Sequence, residues 1–359
     1  MLSTISIMKN NTSLPSPRRF PAEWEHDCAI LIAWPHEETD WAPMLSDVTR
    51  CYVDLVTAFT LHHDVIILAP STDSARSALS SLDTPHNIYY VNVPTNDTWT
   101  RDYGPLTIQS PVDGSMTLLD FCFNGWGMKF AACFDNLVSS HLKSISLLSA
   151  PMVCCRNFVL EGGGIESDGK GTLMTTAHCQ LSPNRNPLLS PSDVSRKLCD
   201  YFGSQQTLML THGYLAGDDT DSHIDTLARF APDDTILYVG CTNPADEHFE
   251  ELSLMASELR QFRTLEGNPF NLFELPLPDP IFDEDGERLP ATYANFLATP
   301  QAVFMPTYGQ PLNDQLAQQI IAAAFQRPVI TIDCRPLIRQ HGSLHCATMQ
   351  LPLPTLSFS

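Results

Sequence analysis

Reactive side chains recur along this chain of 359 residues at intervals of about 60. Asp102 and Glu161 are 59 residues apart, Glu161 and His223 are 62 apart, and His223 and Cys346 are 123 apart, or about two further intervals. A fixed period of this kind is the signature of repeated structural modules. Modules arranged around a shared centre would bring a thiol, an imidazole and several carboxylates into one pocket.

Strand-like apolar runs alternate with amphipathic helical segments in five successive passes, which predicts an α/β fold built from a repeated unit. Each pass takes about 60 residues and ends in a polar loop. The expected strands cover residues 29–34, 64–68, 87–93, 116–123, 171–175, 207–210, 235–240, 270–275, 302–305 and 328–333, and a further strand runs into Leu160. The expected helices cover residues 46–61, 71–82, 135–147, 191–202, 246–262 and 313–325.

Charge and hydropathy restrict the partners of this protein. The formal net charge of −21 argues against nucleic acid and anionic membranes as partners. It would attract small cations, and the alternative is that most of this charge serves solubility. The sequence contains no run of 18 apolar residues, so we expect no membrane span. Residues 1–19 lack the features of a signal peptide and are expected to form a tail, with residues 20–359 forming a single domain.

Eleven cysteines are scattered along the chain without a C-x-x-C pair, which is typical of a reducing cytoplasm. His178 and Cys179 are adjacent, but no second ligand pair has the spacing of a zinc site. We therefore expect a role in the core for these two residues and no metal site.

The segment GDDTDSHID, residues 217–225, places four aspartates within nine residues. Such crowding is costly unless a cation is bound, and Asp219 is expected to contact that cation. If the segment is extended, His223 and Asp225 project from the same face. A solvated acidic surface is the alternative.

Three further groups have a chemical and a structural interpretation. Asp102, in WTRDYGP, is either a ligand for a cation or the partner of Arg101 in an ion pair. Glu161 precedes three glycines, which permit close approach of a ligand or simply make a tight turn. Cys346 is either a nucleophile, which needs a nearby base or positive charge, or an inert buried thiol. Its position in phase with the other groups favours the nucleophile.

Six segments together resemble the family of agmatine deiminases and bacterial, Porphyromonas-type peptidyl-arginine deiminases. They are FPAEWEHDCAILIAWPHEETDW, WTRDYGP, FNGWG, LEGGGIESDGKGTLMTT, GDDTDSHID and HGSLHCATMQLP. The resemblance extends from about residue 20 to residue 353. It implies a pentein-type, five-bladed α/β propeller of ββαβ units and cofactor-free hydrolysis of a guanidinium group.

The resemblance also implies roles for individual residues. Cys346 corresponds to the nucleophile and His223 to the general acid and base. Glu161 corresponds to an acid that supports the histidine or completes the grip on the substrate. The remaining positions correspond to substrate contacts, with the guanidinium held by Asp102 and Asp225 and the aliphatic stem lined by Trp99.

Two segments depart from the agmatine-specific pattern of this family. The chain reads QHGSLHC at residues 340–346, where GGGNIHC is usual, and it has Tyr103 where threonine or isoleucine is usual. These changes leave the reactive groups in place and affect the part of the substrate beyond the guanidinium.

The expected reaction is hydrolytic deimination of agmatine to N-carbamoylputrescine and ammonia, a step of putrescine and polyamine biosynthesis in the cytoplasm. It would pass through a covalent amidino-cysteine. Deimination of peptidyl-arginine or free arginine is the alternative, and an amidinotransferase or a non-catalytic binding propeller is more remote. The expected partner is a small cationic guanidino compound, and assembly into a homo-oligomer stays open.

Overall fold

The strands form five small sheets in the computed structural model, which describes residues 14–358. The first sheet contains β1 (Cys28–Ala33), β2 (Val65–Ala69) and β3 (Ile88–Asn92). The second contains β4 (Leu106–Gln109), β5 (Met116–Cys122) and β6 (Met152–Val159), and the third β7 (Ile165–Ser167), β8 (Thr172–Thr176) and β9 (Gln206–Leu210). The fourth contains β10 (Ala228–Ala231), β11 (Thr235–Gly240) and β12 (Asn271–Pro276), and the fifth β13 (Leu297–Ala298), β14 (Val303–Thr307) and β15 (Val329–Asp333). From the far end of the chain, β16 (Met349–Pro352) joins the first sheet.

Four sheets share one connectivity, in which an antiparallel pair precedes a parallel pair. β4 pairs antiparallel with β5 and β5 parallel with β6, and the same order holds for the third, fourth and fifth sheets. In the first sheet β16 supplies the antiparallel partner of β1, with Cys28 opposite Pro352 and Leu31 opposite Met349. Because both ends of the domain meet in one sheet, the five modules form a closed ring.

Helices connect the parallel strands, since such a pair needs a long crossover. The helices are α1 (Leu45–Phe59), α2 (Asp73–Ala78), α3 (Thr100–Tyr103), α4 (Gly125–Met128), α5 (Val138–Ser144), α6 (Ala177–Gln180), α7 (Pro191–Phe202), α8 (Phe249–Leu259), α9 (Pro311–Phe325) and α10 (Arg335–Ile338). The crossover within each module is made by α1, α5, α7, α8 or α9, and this arrangement is the predicted ββαβ propeller of the pentein type.

The sequence signals at helix ends explain why α7 has the predicted bounds. Ser190 accepts a hydrogen bond from the backbone N–H of Asp193 in a capping box, and Pro191 occupies the first helical position. Gly203 ends the helix at a φ of 70°, a conformation that costs glycine little. Prediction is less accurate for the shorter helices, because α2 is only six residues long and residues 135–137 form a 3₁₀ turn before α5.

The expectation of an extended segment at residues 223–225 is wrong. His223 precedes a 3₁₀ turn over Ile224–Thr226, and the segment therefore bends. The turn is stabilised by Thr226, whose N–H and hydroxyl both donate to the carbonyl of His223. His223 and Asp225 nevertheless both face the centre of the ring.

The predicted tail is described only from residue 14 onward, and residues 1–13 lie outside the described part. Arg18 donates to the carbonyl of Tyr201 at 3.0 Å, and the backbone of Arg19 pairs with that of Gln109. None of the helices in residues 14–358 is long and apolar enough to cross a membrane.

Candidate active site

The connections between consecutive sheets bring one or two reactive groups each to the centre of the ring. The groups are Asp102 between β3 and β4, Glu161 between β6 and β7, His223 and Asp225 between β9 and β10, Asn295 between β12 and β13, and Cys346 between β15 and β16. The sequence interval of about 60 residues thus corresponds to one module of the fold.

Gly163 shows how closely three of these groups converge. A methyl group added at Gly163 would lie 2.7 Å from His223 Nδ1, 2.8 Å from Asp102 Oδ1 and 3.0 Å from Asp225 Oδ2. Real side chains do not tolerate contacts this short. The glycine run after Glu161 therefore lets the backbone pass beside the reactive groups, as one of the two interpretations of that motif requires.

His223 is fully buried between two carboxylates. Its Nε2 lies 3.1 Å from Glu161 Oε2, and its Nδ1 lies 3.6 Å from Asp102 Oδ1. Burial alone would lower the pKa of His223, but Asp102, with Cys179 and Glu161, raises this pKa well above its usual value. His223 is therefore an imidazolium at neutral pH.

Arg185 holds Glu161 from the side away from Asp102. The Nε of Arg185 donates to Glu161 Oε2 at 2.7 Å, and its Nη2 donates to the carbonyl of Thr220 at 2.8 Å. Burial raises the pKa of Glu161, but the hydrogen bond from His223 and the charge of Arg185 bring it below the usual value. Glu161 is consequently an ionised carboxylate that Arg185 holds beside the imidazolium of His223.

Asp102 is bound by groups other than its sequence neighbour. Its Oδ1 accepts the N–H of Gly163 at 2.9 Å, and its Oδ2 accepts the indole N–H of Trp126 at 2.9 Å. Arg101 instead pairs with Glu23, so the predicted alternative of an Arg101–Asp102 ion pair is wrong. Burial and the nearby carboxylates of Asp225 and Glu161 raise the pKa of Asp102, against the effect of His223.

Asp225 lies beside Cys346, and its Oδ2 is 3.6 Å from the Sγ atom. The same oxygen accepts a hydrogen bond from His345 Nδ1 at 2.7 Å. Burial would raise the pKa of Asp225, but His345 and the charges of His223 and Arg229 lower it below its usual value. Asp225 is therefore ionised.

Cys346 is also contacted by Asn295, which the sequence analysis did not identify. The side-chain Nδ2 of Asn295 lies 3.2 Å from Sγ, and its Oδ1 accepts the N–H groups of His345 and Cys346. Burial, together with the charges of Asp225 and Asp102, raises the pKa of Cys346 well above its usual value. The thiol is thus protonated as long as no cation offsets these carboxylates.

Three polar atoms in this group are buried without a hydrogen-bond partner among the described residues. They are Glu161 Oε1, His223 Nδ1 and Asp225 Oδ1. Buried polar atoms in native proteins are usually satisfied, so each such exception calls for an explanation. A ligand with several N–H groups, bound between these residues and Cys346, would satisfy the two carboxylate oxygens.

A narrow cavity is lined by Cys346 and Asp102. Trp99 and Asp219, both predicted to contact substrate, line it together with Cys346, as do Asp40, Asp97, Trp126, Phe130, Thr220, Gln340, His341 and Gly342. In the described part of the chain, neither lysine nor arginine lines this cavity. Burial and neighbouring carboxylates raise the pKa of Asp97 to about 7, and burial raises that of Asp219 to about 6.

Gln340 and His341, which replace glycines of the usual pattern, form part of the cavity wall. The side chain of Gln340 donates to the carbonyl of Asp40 at 3.0 Å. His341 has a φ of 66°. Its Nδ1 lies 2.7 Å from the carbonyl oxygen of Gly217. Both side chains therefore connect the Cys346 loop to neighbouring loops at the cavity wall.

Cys179 is a buried thiol close to Glu161 and His223. Its Sγ is 3.8 Å from Glu161 Oε2, and the candidate ligand atoms of Glu161, Cys179 and His223 lie within 4.8 Å of one another. Glu161 Oε2 is already bound by Arg185 and His223, so a metal ion here would lie against a guanidinium group. This electrostatic environment disfavours a metal.

A family model for Porphyromonas-type peptidyl-arginine deiminases matches residues 19–352 of the chain. The chain belongs to this family. The match covers all five modules and every residue of the site described above.

Individual proteins resemble the chain over nearly its whole length. A candidate arginine deiminase from Porphyromonas gingivalis is 44% identical, with a TM-score of 0.88 and coverage of 95% of this chain and 100% of that one. A C. jejuni agmatine deiminase, solved as a cysteine-to-serine variant with substrate bound, is 35% identical, with a TM-score of 0.87 and coverage of 93% and 96%. A candidate agmatine deiminase from Legionella pneumophila (strain Paris) is 32% identical over 338 residues, which are 92% of this chain and 94% of the relative. The chain is accordingly a hydrolase of C–N bonds in linear amidines.

Proposed function

We propose that this deiminase hydrolyses agmatine to N-carbamoylputrescine and ammonia. The observation that carries the proposal is the combination of two buried, unpartnered carboxylate oxygens, Glu161 Oε1 and Asp225 Oδ1, with a cavity whose charged lining is almost wholly acidic. Agmatine carries a guanidinium at one end and an amine at the other, so both ends suit anionic surroundings. The names of the C. jejuni and Legionella relatives support the same substrate.

The guanidinium would be held by Asp102 and Asp225. A planar guanidinium presents its N–H groups as a rigid fork, and carboxylates bind that fork with paired, charge-assisted hydrogen bonds. Asp225 Oδ1 is free for such a bond, and Glu161 Oε1 is a second free acceptor. This binding places the central carbon of the substrate beside the Sγ atom of Cys346.

Substrate binding also activates the thiol. In the empty site the carboxylates of Asp225 and Asp102 raise the pKa of Cys346. A bound guanidinium offsets both negative charges, which lowers the pKa of Cys346 and favours the thiolate. Asn295 Nδ2, at 3.2 Å from Sγ, donates to that thiolate. Cys346 is therefore nucleophilic chiefly when the substrate is bound.

The reaction then proceeds in two steps. The thiolate adds to the guanidinium carbon, and the His223 imidazolium gives its Nδ1 proton to the departing nitrogen, so that the C–N bond breaks and ammonia leaves. Neutral His223 next takes a proton from a water molecule, which adds to the carbon of the amidino-cysteine. Cleavage of the C–S bond releases the ureido product and restores the thiol. Glu161 stabilises the positive form of His223 throughout.

Deimination of arginine, free or within a peptide, is the second candidate. It is favoured by the description of the family model and by the P. gingivalis structure, which is more similar to this chain than the C. jejuni enzyme is. The α-carboxylate of free arginine would, however, lie near Asp97 and Asp219, where no lysine or arginine of the described chain lines the cavity. Burying an unmatched anion there is costly.

The test compares ammonia release from agmatine, free arginine and an arginine peptide blocked at both ends. We expect kcat/KM for agmatine to exceed the other two values by at least about ten-fold, which corresponds to a difference of about 1.4 kcal/mol. Cys346→Ala provides the background. A preference for arginine or the blocked peptide would overturn the choice of substrate but leave the deiminase chemistry intact.

A covalent intermediate provides a test of the chemistry itself. We expect mass spectrometry of protein quenched during turnover to show an added amidino group on the peptide that contains Cys346. Cys346→Ser should bind substrate without turning it over. An adduct on a different cysteine, or full activity of the serine variant, would contradict the assigned nucleophile.

A further inference from the structure

His345 is buried between the carboxylates of Asp225 and Glu23. Its Nδ1 lies 2.7 Å from Asp225 Oδ2, and its Nε2 contacts Glu23 Oε1. Both carboxyl groups have a pKa below their usual value, because nearby cations outweigh the effect of burial. Since an ionised carboxylate only accepts hydrogen bonds, Nδ1 of His345 donates to Asp225.

Glu23 is held in place by two arginines as well as by His345. Arg229 donates to Glu23 Oε2 at 2.8 Å, and the guanidinium of Arg101 lies 3.2 Å from Oε1. Arg229 is itself fully buried, stacks on Phe296 and donates to main-chain carbonyls. Glu23 therefore forms a rigid acceptor that fixes the orientation of the His345 ring.

The two oxygens of Asp225 therefore differ in their hydrogen bonding. Oδ2 is occupied by His345, while Oδ1 is buried without a hydrogen-bond partner. Oδ2 also lies 3.6 Å from Cys346 Sγ, and without the bond from His345 the carboxylate could rotate and exchange the positions of its two oxygens. A bond to one oxygen fixes the plane of a carboxylate and thereby the direction of the other oxygen.

We propose that His345, fixed by Glu23, is a positioning residue that directs Asp225 Oδ1 toward the guanidinium of the substrate. This inference rests on the proposed function and adds to it a role for the FPAEWE segment, which lies far from Cys346 in sequence. His345 touches neither the substrate nor the reacting sulfur in this role. It acts through Asp225 alone.

Two amide substitutions at residue 345 separate the two bonds. The side-chain nitrogen of asparagine lies near the position of Nδ1, and that of glutamine lies near the position of Nε2. His345→Asn therefore keeps the bond to Asp225 and loses the bond to Glu23, whereas His345→Gln does the reverse. We expect kcat/KM to fall by less than about ten-fold in the first variant and by about a hundred-fold in the second, because misplacement of about 1 Å has that effect.

His63 provides a matched control. It is buried, with Nδ1 lying 3.1 Å from the carbonyl of Cys28 and Nε2 lying 3.0 Å from Thr299 Oγ1, outside the candidate site. His63→Asn and His63→Gln should lower the melting temperature but leave kcat/KM of the folded enzyme equal in the two variants. Equal loss of activity in the two residue 345 variants, in parallel with melting temperature, would show a structural role only and overturn the proposal.

Binding measured without turnover distinguishes the failure of this inference from failure of the proposed function. In a Cys346→Ser background, calorimetry with agmatine should give a dissociation constant at least about ten-fold weaker for His345→Gln than for His345→Asn. If agmatine binds in this order but the wild-type enzyme releases no ammonia from it, the proposed function is wrong and the positioning role stands. If the two variants bind agmatine equally, the positioning role is wrong, whatever the turnover. Glu23→Gln, which retains an acceptor oxygen, should give an intermediate loss if the residue 345 variants do not fold.

Discussion

Trp126 donates its indole N–H to Asp102 Oδ2 at 2.9 Å, and so fixes a carboxylate that lies 24 residues earlier in the chain. Trp126 comes from the FNGWG segment, has a φ of 53° and lines the cavity. The other oxygen of Asp102 accepts the N–H of Gly163 at 2.9 Å. One carboxylate thus joins the second and third modules at the reaction centre.

Trp126→Phe should remove this hydrogen bond while preserving an aromatic ring. Loss of one partner leaves Asp102 Oδ2 unsatisfied at a cost of about 1–3 kcal/mol, and we expect kcat/KM for agmatine to fall by roughly ten-fold or more. The Trp34→Phe variant is the control, since Trp34 is buried and its indole N–H has no hydrogen-bond partner in the described chain. That control should change stability without changing kcat/KM. Unchanged activity of Trp126→Phe would show that Asp102 is held adequately by Gly163.

Asp102→Asn and Asp225→Asn test the carboxylate clamp. Each replacement keeps the shape of the side chain and removes one charge, and breaking a buried, hydrogen-bonded charge pair costs about 2–5 kcal/mol. We expect losses of roughly thirty-fold to several-thousand-fold in kcat/KM, and the double variant should lose less than the product of the two. Asp120→Asn is a matched control, because Asp120 is buried and pairs with Arg156 at 2.8 Å outside the candidate site. If Asp102→Asn lowered stability but kept kcat/KM within about two-fold, the clamp would be wrong.

The repeated fold and most of the reactive groups could be predicted from the sequence because both follow from local patterns. Strand and helix periodicities defined the modules, and the predicted bounds of α7, residues 191–202, agree with the structure. Chemically conspicuous side chains at one interval then indicated Asp102, Glu161, His223 and Cys346. These predictions needed no knowledge of which loops touch.

What escaped prediction depends on contacts between modules. Asn295 lies 72 residues after His223 and 51 before Cys346, so it fills the gap of two intervals between these residues. The sequence did not indicate Asn295 because a neutral amide is not a typical catalytic group. An ion pair between Arg101 and Asp102 was one of two interpretations of the sequence, whereas in the structure Arg101, in α3, pairs with Glu23. The segment at residues 223–225 bends because of local hydroxyl and backbone bonds, which a two-residue strand period does not reveal.

Gly163→Ala should abolish most activity through steric overlap with the reaction centre. The added methyl would lie within 3.0 Å of His223 Nδ1, Asp102 Oδ1 and Asp225 Oδ2, so at least one of these groups must move. Movement of about 1 Å reduces rates by about a hundred-fold, and we expect a loss of that order in kcat/KM. Circular dichroism and thermal melting would show whether the fold persists. A folded Gly163→Ala variant with normal kcat/KM would contradict the convergence of the three groups on the substrate.

The acidic cavity predicts a pH dependence of substrate binding. The pKa of Asp97 is raised to about 7 and that of Asp219 to about 6, chiefly by burial, so each carboxyl gains a proton and loses its negative charge as the pH falls through these values. If these carboxylates attract the amine of agmatine, KM for agmatine should rise as the pH is lowered from about 8 to about 5.5. Asp97→Asn should raise KM at the upper end of this range and reduce its change with pH, since one of the titrating groups is absent. His341, whose charge opposes the shift at Asp219, lines the same cavity, and His341→Gln serves to separate its contribution. The measurement is KM and kcat for agmatine across this pH range. If only kcat changes with pH, or if Asp97→Asn leaves the pH dependence of KM unaltered, the amine of the substrate does not bind at these carboxylates.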